Sequence, residues 1–239
     1  MNIYVEGHRG WRSDYPENTL PSFEAAMDLG VDAFEFDIRV AGDGSLVISH
    51  DDELYRCGGV HKFISEMSLA EIKEIDVGSH LHKSVGPAFV PTLEEVLQLV
   101  VSKKPNFKLG VEFKTYTEDC VDRSMALLKQ YGLFENCWFY CFNARIIKYI
   151  KQKYNGRTMG YPDFQMQEFE SDSYEYYDEI GISMSIMRSE VLPIYKAKNL
   201  PMHFYCANDE QTVKECIAHG VALITADDPV PLMKVLGRK

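Results

Sequence analysis

The chain has 239 residues, of which 46% are hydrophobic and 26% are charged, a composition typical of a globular protein with a substantial core. Its formal net charge of -11 argues against nucleic acid as the main partner, because binding to a phosphate backbone needs a basic surface. No apolar run reaches the roughly 18 residues of a membrane span, and the first residues carry no basic leader, so the sequence predicts a cytoplasmic protein.

The first part of the chain alternates between short apolar runs and one amphipathic segment. The predicted elements are, in order, a strand at 3–5, a helix at about 20–29, a strand at 33–38 and a short return strand at 46–48 after a glycine-rich turn. A turn this tight implies a hairpin. We therefore expect His50, just beyond the return strand, to lie near the second strand.

Residues 52–90 form a less regular insertion with one predicted helix at 68–75. Helices and strands then alternate: helix 92–101, strand 108–113, helix 119–130, strand 138–140, helix 144–151, strand 158–161, strand 180–184, helix 189–197, strand 202–206, helix 210–219, strand 222–225 and helix 230–236. Eight strand–helix units favour an α/β fold, a closed (β/α)₈ TIM barrel, as a single domain over residues 1–239. An open doubly wound sheet is the alternative, but the first strand lacks its Gly-x-Gly-x-x-Gly turn.

Ionisable residues follow the predicted strands at the end where a barrel carries its active site. They are His8 and Arg9 on the first strand, Glu35 and Asp37 on the second, and Glu112 and Lys114 on the third. Glu35 and Asp37 share one strand face, because side chains alternate with a period of two. A cation bound between these two carboxylates would remove their repulsion.

Two interpretations of the carboxylates remain open. Glu35, Asp37 and Glu112 form an oxygen-rich site that suits a divalent cation, Mg²⁺ or Ca²⁺. The alternative is a structural ion-pair network with nearby basic residues, namely Arg9, Arg39 and Lys114. A zinc site is disfavoured, because the histidines are not spaced as ligands on one helix and the six cysteines form no Cys-x-x-Cys pair. His8 and His50 are the candidate acid–base residues at the same barrel mouth.

Together these motifs resemble those of the glycerophosphodiester phosphodiesterase family over nearly the whole chain. The matching motifs are His8-Arg9-Gly10, Pro16-Glu17-Asn18-Thr19, Glu35-Phe36-Asp37, His50-Asp51 and Glu112-Phe113-Lys114. The resemblance implies a TIM barrel with an insertion after the second strand. It also implies a set of site residues: a divalent cation on Glu35, Asp37 and Glu112, an acid–base pair of His8 and His50, and phosphate ligands Arg9 and Lys114.

The chain departs from the family pattern in two places. Phe204-Tyr205-Cys206 stands where the family usually has Trp-Thr on the seventh strand, and Cys141-Phe142 stands where Ser-Phe usually ends the fourth. We expect both changes to reshape the pocket for the alcohol group, and we count Tyr205 among the substrate-binding residues. The Thr-Asp of the last strand is shifted, as Thr225-Ala226-Asp227.

The resemblance implies metal-dependent hydrolysis of glycerophosphodiesters to sn-glycerol 3-phosphate and an alcohol, with a small-molecule substrate as the partner. One histidine would take a proton from the attacking hydroxyl and the other would protonate the leaving alkoxide, so we expect a bell-shaped pH profile. An apolar groove at the mouth would favour a lysophospholipase D-type activity instead. A non-catalytic barrel that binds a phosphorylated alcohol is a further alternative. A sugar-phosphate isomerase or aldolase is disfavoured, because it needs a Schiff-base lysine or an enediol base.

Overall fold

Eight parallel strands form a closed barrel in the computed structural model, which describes residues 3–82 and 85–238. The barrel strands are β1 (Tyr4–Gly7), β2 (Ala33–Val40), β4 (Lys108–Phe113), β5 (Cys137–Tyr140), β6 (Arg157–Gly160), β7 (Glu179–Ser183), β8 (Met202–Tyr205) and β9 (Leu223–Ala226). β1 closes the barrel by pairing in parallel with both β9 and β2. The predicted (β/α)₈ barrel is therefore confirmed, and its closure excludes an open doubly wound sheet.

Helices lie around the barrel and in the insertion, and the longer ones bury one apolar face. They are α1 (Leu20–Leu29), α2 (Tyr55–Gly58), α3 (Leu69–Lys73), α4 (Leu93–Lys103), α5 (Glu118–Gln130), α6 (Ala144–Tyr154), α7 (Met184–Met187), α8 (Leu192–Lys196), α9 (Glu210–Ala218) and α10 (Pro229–Val235). The longest, α5, has 13 residues. Within the ranges that the structure describes, no helix has the length and apolar character needed to cross a membrane.

A hairpin precedes the insertion predicted at residues 52–90. β3 (Leu46–Ile48) pairs antiparallel to β2, as the glycine-rich turn predicts. The following segment, with α2 and α3, forms a small apolar cluster outside the barrel that includes Leu54, Ile64 and Ile72. Residues 83–84 of the predicted insertion, residues 1–2 of the chain start and residue 239 lie outside the described residues. The hairpin brings the residues after β3 to the carboxyl end of the barrel.

The predicted helix at 189–197 is wrong in its extent. Only α8 lies within this range, and a second short helix that was not predicted, α7, directly follows β7. Ser183 accepts a hydrogen bond from the Ile186 amide, so its side chain caps α7 at the very end of the strand. Glu179, which the sequence places at the end of an acidic stretch, is buried as the first residue of β7.

Candidate active site

The loop between β1 and α1 holds His8 and Arg9 at the carboxyl end of the barrel. Arg9 and Asn18 have positive φ angles of 54° and 56°, and the Asn18 amide donates to the Arg9 carbonyl at 3.0 Å. Gly10 has a φ of 85°, and a Cβ atom there would lie 2.7 Å from the carbonyl carbon of Ser22. Only glycine satisfies both constraints, so Gly10 allows the loop to pack directly against α1.

His8 is held through its Nδ1 atom. Nδ1 lies 2.6 Å from Asp227 Oδ1 and 3.4 Å from both Cys206 Sγ and Arg12 Nη1. Burial raises the pKa of Asp227, but the hydrogen bond and charge of His8 outweigh it and lower that pKa to about 2. Burial lowers the pKa of His8, against the opposing effect of Asp227. At neutral pH His8 is therefore neutral, with Nδ1–H donating to Asp227 and Nε2 left as an acceptor.

His50 has a matching arrangement. The Ser49 amide donates to the Asp37 carbonyl at 2.9 Å, and the Arg39 guanidinium donates to the His50 carbonyl at 3.0 and 2.7 Å. His50 Nδ1 lies 2.7 Å from Asp51 Oδ1, and burial lowers the pKa of His50. Arg39 thus supports the backbone of this histidine rather than joining the ion-pair network of the alternative interpretation.

The three predicted carboxylates lie together. Glu35 and Asp37 on β2 and Glu112 on β4 are all buried, and each offers an oxygen within 4.8 Å of the others. Burial raises the pKa of Glu35 and Glu112, and the neighbouring Asp37 charge raises both further. Among the described residues, Glu35 Oε1 and Asp37 Oδ1 are buried without a hydrogen-bond partner. Three convergent carboxylates, two of them with an unsatisfied oxygen, fit a hard divalent cation.

Two basic side chains neutralise part of this negative charge. Lys114 forms an ion pair with Glu112, and its Nζ lies 3.3 Å from Asp37 Oδ1. Arg9 Nε lies 3.4 Å from Asp37 Oδ2. In the part of the chain that the structure describes, no side-chain ion pair involves Glu35. The ion-pair interpretation therefore accounts for part of the cluster and leaves Glu35, which accepts from the Arg9 amide at 3.0 Å, without an ion-pair partner among these residues.

Glu17 joins three arginines at the edge of the site, a role that its motif did not reveal. Its oxygens lie 2.7 Å from Arg9 Nη1, 2.7 Å from both terminal nitrogens of Arg56, and 3.2 Å from Arg12 Nη2. Burial raises the pKa of Glu17, but hydrogen bonds and charges from the arginines lower it to about 2. Because Arg56 belongs to the insertion, Glu17 ties the insertion to the β1–α1 loop.

A cavity of about 200 Å³ joins these groups. Its lining includes the predicted site residues His8, Arg9, Glu35, His50, Glu112, Lys114 and Tyr205. Asp37 is completely buried behind the lining and reaches the site through the carboxylate cluster. One wall is aromatic, because Phe142 stacks on Tyr161 with ring centroids 3.7 Å apart and Tyr205 meets Tyr161 edge-on at 5.6 Å. The structure thus brings all eight predicted residues together.

The cavity is also lined by buried polar residues from the barrel interior that the sequence did not predict. Glu6 is completely buried and accepts hydrogen bonds from Tyr140 Oη at 3.0 Å and Thr225 Oγ1 at 2.7 Å. His203 is also buried and contacts Glu179, and burial lowers the pKa of His203 to about 3. Alternation along each strand could have marked these residues as inward-facing, but it could not show which ones meet.

Comparison with known proteins gives the same family as the motifs. The model of the glycerophosphoryl diester phosphodiesterase family matches residues 8–230. A glycerophosphodiester phosphodiesterase of Caldanaerobacter subterraneus is 30% identical over 64% of this chain and 63% of its own length. One of Bacillus altitudinis is 35% identical over 46% of this chain and 44% of its own length. The matched segments thus span less than two thirds of either curated relative.

A solved structure extends the similarity to the whole barrel. An Oleispira antarctica phosphodiesterase, in complex with the product sn-glycerol-3-phosphate, superposes with a TM-score of 0.85. The alignment covers 98% of this chain and 96% of that one at 24% identity, which establishes the shared fold. With the family model matching nearly the whole chain, the protein belongs to the glycerophosphoryl diester phosphodiesterase family.

Proposed function

We propose that this protein hydrolyses glycerophosphodiesters to sn-glycerol 3-phosphate and an alcohol, with a divalent cation, Mg²⁺ or Ca²⁺, as cofactor. The observation that carries the proposal is a pair of histidines with carboxylates on Nδ1, lining one cavity with a carboxylate cluster and two basic side chains. Family membership supports the reaction class. The product named for the Oleispira antarctica structure supports the glycerol phosphate half of the substrate.

His8 and His50 are proposed as the acid–base pair. Each has Nδ1 occupied by a carboxylate, so Nε2 is the atom available to a substrate in the cavity. The neutral ring takes the proton of the attacking hydroxyl on Nε2, and the other ring, protonated at both nitrogens, delivers its Nε2 proton to the leaving alkoxide. The carboxylates Asp227 and Asp51 position the rings and fix the tautomer, because an ionised carboxylate accepts only from Nδ1–H.

Glu35, Asp37 and Glu112 are the residues that would hold the cation. When bound, such an ion supplies Lewis-acid stabilisation of the charge that develops on the phosphate oxygens. Arg9 and Lys114 add donors to the same cavity. Arg9 lines the cavity and is proposed to donate from its guanidinium to a non-bridging phosphate oxygen, where a charge-assisted bond strengthens as charge builds. Tyr205 borders the aromatic wall, which is proposed to contact the rest of the substrate.

A lysophospholipid is the second candidate substrate. A broad open groove is lined by Trp11, Tyr15, Leu81 and Val85, and half of the Leu81 surface is exposed. Trp11 and Tyr15 belong to the same β1–α1 loop as His8. The 200 Å³ cavity is too small to enclose an acyl chain. An acyl chain would instead contact the apolar side chains of this groove.

The first experiment measures release of sn-glycerol 3-phosphate from glycerophosphocholine and glycerophosphoethanolamine, with Mg²⁺, Ca²⁺ or EDTA. We expect cation-dependent turnover, and a loss of roughly 10²–10⁴-fold in kcat for His8→Ala and for His50→Ala, because each removes an acid–base group. His61→Ala is the matched control, since His61 is exposed and paired with Glu53 away from the cavity. Turnover that persists in EDTA would contradict the cofactor proposal.

Two further outcomes decide between the alternatives. Turnover of lysophosphatidylcholine but of neither glycerophosphodiester would favour the lysophospholipase D-type activity. A folded wild-type protein that binds glycerol 3-phosphate but turns over no substrate would instead indicate a non-catalytic binding barrel. An activity that varies monotonically between about pH 5 and pH 9 would count against the two-histidine pair, which predicts a bell-shaped profile.

A further inference from the structure

Three different metal-ligand side chains meet at the barrel mouth outside the carboxylate cluster. His8, Cys206 and Asp227 each offer one ligand atom, and these atoms lie within 4.8 Å of one another. Each residue is the first one beyond its strand, after β1, β8 and β9 respectively. Because these strands are neighbours in the barrel, residues almost 220 positions apart converge on one point.

A nucleophilic thiol is the first function to consider for this trio. A Cys–His–Asp triad needs the thiol on one ring nitrogen and the carboxylate on the other. Here Cys206 Sγ and Asp227 Oδ1 both approach Nδ1 of His8, at 3.4 and 2.6 Å. Because both groups approach the same ring nitrogen, the imidazole cannot accept the thiol proton on one nitrogen while the carboxylate holds the other. This geometry excludes a catalytic triad.

The trio instead offers one sulfur, one nitrogen and one oxygen atom, a set of ligands that suits a thiophilic cation. Tetrahedral zinc, with bonds of about 2.1 Å to nitrogen and about 2.3 Å to sulfur, holds these two atoms about 3.6 Å apart. The Nδ1–Sγ distance of 3.4 Å is already close to this value. The Nδ1–Oδ1 distance must open from 2.6 Å to about 3.4 Å.

Arg12 is the group that must move. Its Nη1 lies 3.4 Å from His8 Nδ1 and 3.6 Å from Asp227 Oδ1, where it would repel a cation. Its Nη2 is already 3.2 Å from Glu17 Oε2, so the side chain can turn toward Glu17 and keep a counter-charge. Asn208 Nδ2 donates to the other Asp227 oxygen at 2.9 Å and would orient that carboxylate as a ligand.

We propose that His8, Cys206 and Asp227 form a second, inhibitory cation site that takes Zn²⁺ or another thiophilic divalent ion. Cys206 releases its thiol proton to solvent on binding, and His8 binds through Nδ1 with its remaining proton on Nε2. The imidazole then cannot take up a proton at Nε2. Inhibition thus rests on the acid–base role proposed for His8, whereas the binding of the ion does not. The carboxylate cluster, which has only oxygen ligands, favours Mg²⁺ or Ca²⁺ instead.

Cobalt titration of the full chain tests the site without relying on activity. Co²⁺ is added to wild-type protein in excess Mg²⁺, and the thiolate-to-cobalt charge-transfer band in the near ultraviolet is recorded. We expect one Co²⁺ per chain to produce the band, Zn²⁺ to abolish it by displacement, and Cys206→Ser to lack it. Cys57→Ser is the matched control, because Cys57 is the other partly exposed cysteine and lies in the insertion. Asp227→Asn, which keeps the thiol, should weaken Co²⁺ binding by at least about tenfold.

Thermal melting and circular dichroism establish that each variant is folded. Absence of the band in wild-type protein, or an equal band in Cys206→Ser, would overturn the site whatever the enzyme hydrolyses. The second arm measures hydrolysis in excess Mg²⁺ with increasing Zn²⁺. We expect the concentration for half-inhibition to rise by at least about tenfold in Cys206→Ser. Equal inhibition of Cys206→Ser and wild type would disprove the inhibitory role, even if the band were present.

Discussion

Glu6 is a carboxyl group in the barrel interior whose charge changes near neutral pH. It is completely buried, and this burial raises its pKa from 4.5 to about 7, although hydrogen bonds from Thr225 and Tyr140 oppose the shift. Between these two pH values the folded protein holds a proton that the unfolded chain releases. The resulting stabilisation is complete below about pH 4.5 and is lost as the pH rises through about 7.

Glu6→Gln should remove this pH dependence, since the amide does not ionise. We expect the unfolding free energy of the variant, relative to wild type, to rise by about 3 kcal/mol between about pH 4.5 and pH 8. Urea denaturation in EDTA over this pH range measures the difference. Glu190→Gln removes an exposed carboxylate and controls for net charge. A constant difference between Glu6→Gln and wild type would show that Glu6 is not protonated in the folded state.

At the scale of elements, α4 links the barrel to the insertion. Its N-terminus is a capping box, in which the Glu95 amide donates to Thr92 Oγ1 at 3.2 Å and the Thr92 amide donates to Glu95 Oε2 at 2.7 Å. The Ile48 amide of β3 donates to the Pro91 carbonyl at 2.9 Å directly before this cap. The cap therefore sets where the insertion returns to the barrel.

Thr92→Ala should cost about 1 kcal/mol of unfolding free energy, because the Glu95 amide loses its side-chain acceptor at the helix N-terminus. Chemical denaturation measures this loss. Thr92→Ser keeps the hydroxyl and should retain most of the stability. If serine and alanine destabilise the protein equally, the threonine methyl group rather than the cap is responsible.

At the scale of the whole molecule, the cation proposed for the carboxylate cluster would couple folding to binding. Glu35, Asp37 and Glu112 come from two strands and meet only in the folded barrel. A ligand that binds only the folded state stabilises it by about 2.7 kcal/mol at 100 times its dissociation constant. The same cation also relieves the repulsion between buried carboxylates.

Mg²⁺ or Ca²⁺ should therefore raise the melting temperature by roughly 5–10 °C relative to EDTA, as expected for that free energy in a chain of this size. Differential scanning calorimetry at matched ionic strength measures the shift. Asp37→Asn should abolish most of it, whereas His8→Ala should retain it, because His8 lies outside the cluster. Equal melting temperatures with cation and with EDTA would contradict a cation on these carboxylates.

The sequence by itself determined the fold class and the set of candidate site residues. The eight alternating strand–helix units predict the barrel, because strands that alternate with helices are parallel and eight parallel strands can close into a barrel. The residues after the first three strands were also identifiable, since a barrel gathers the strand carboxyl ends at one mouth. The structure brings these residues together with His50 and Tyr205 in one site, whereas their chemical roles are proposed.

Only the tertiary structure decided which partners these residues meet. Asp227 reaches His8 across 219 positions, and Arg56 of the insertion reaches Glu17 across 39. Neither pairing has a local periodicity to reveal it, because closure of the barrel and folding of the insertion bring these residues together. In the sequence Cys206 is only a departure from the family pattern, and the adjacent strand ends are what place its sulfur 3.4 Å from His8 Nδ1. Sequence periodicity determines the face of an element on which a residue lies, whereas the contacts between elements depend on packing.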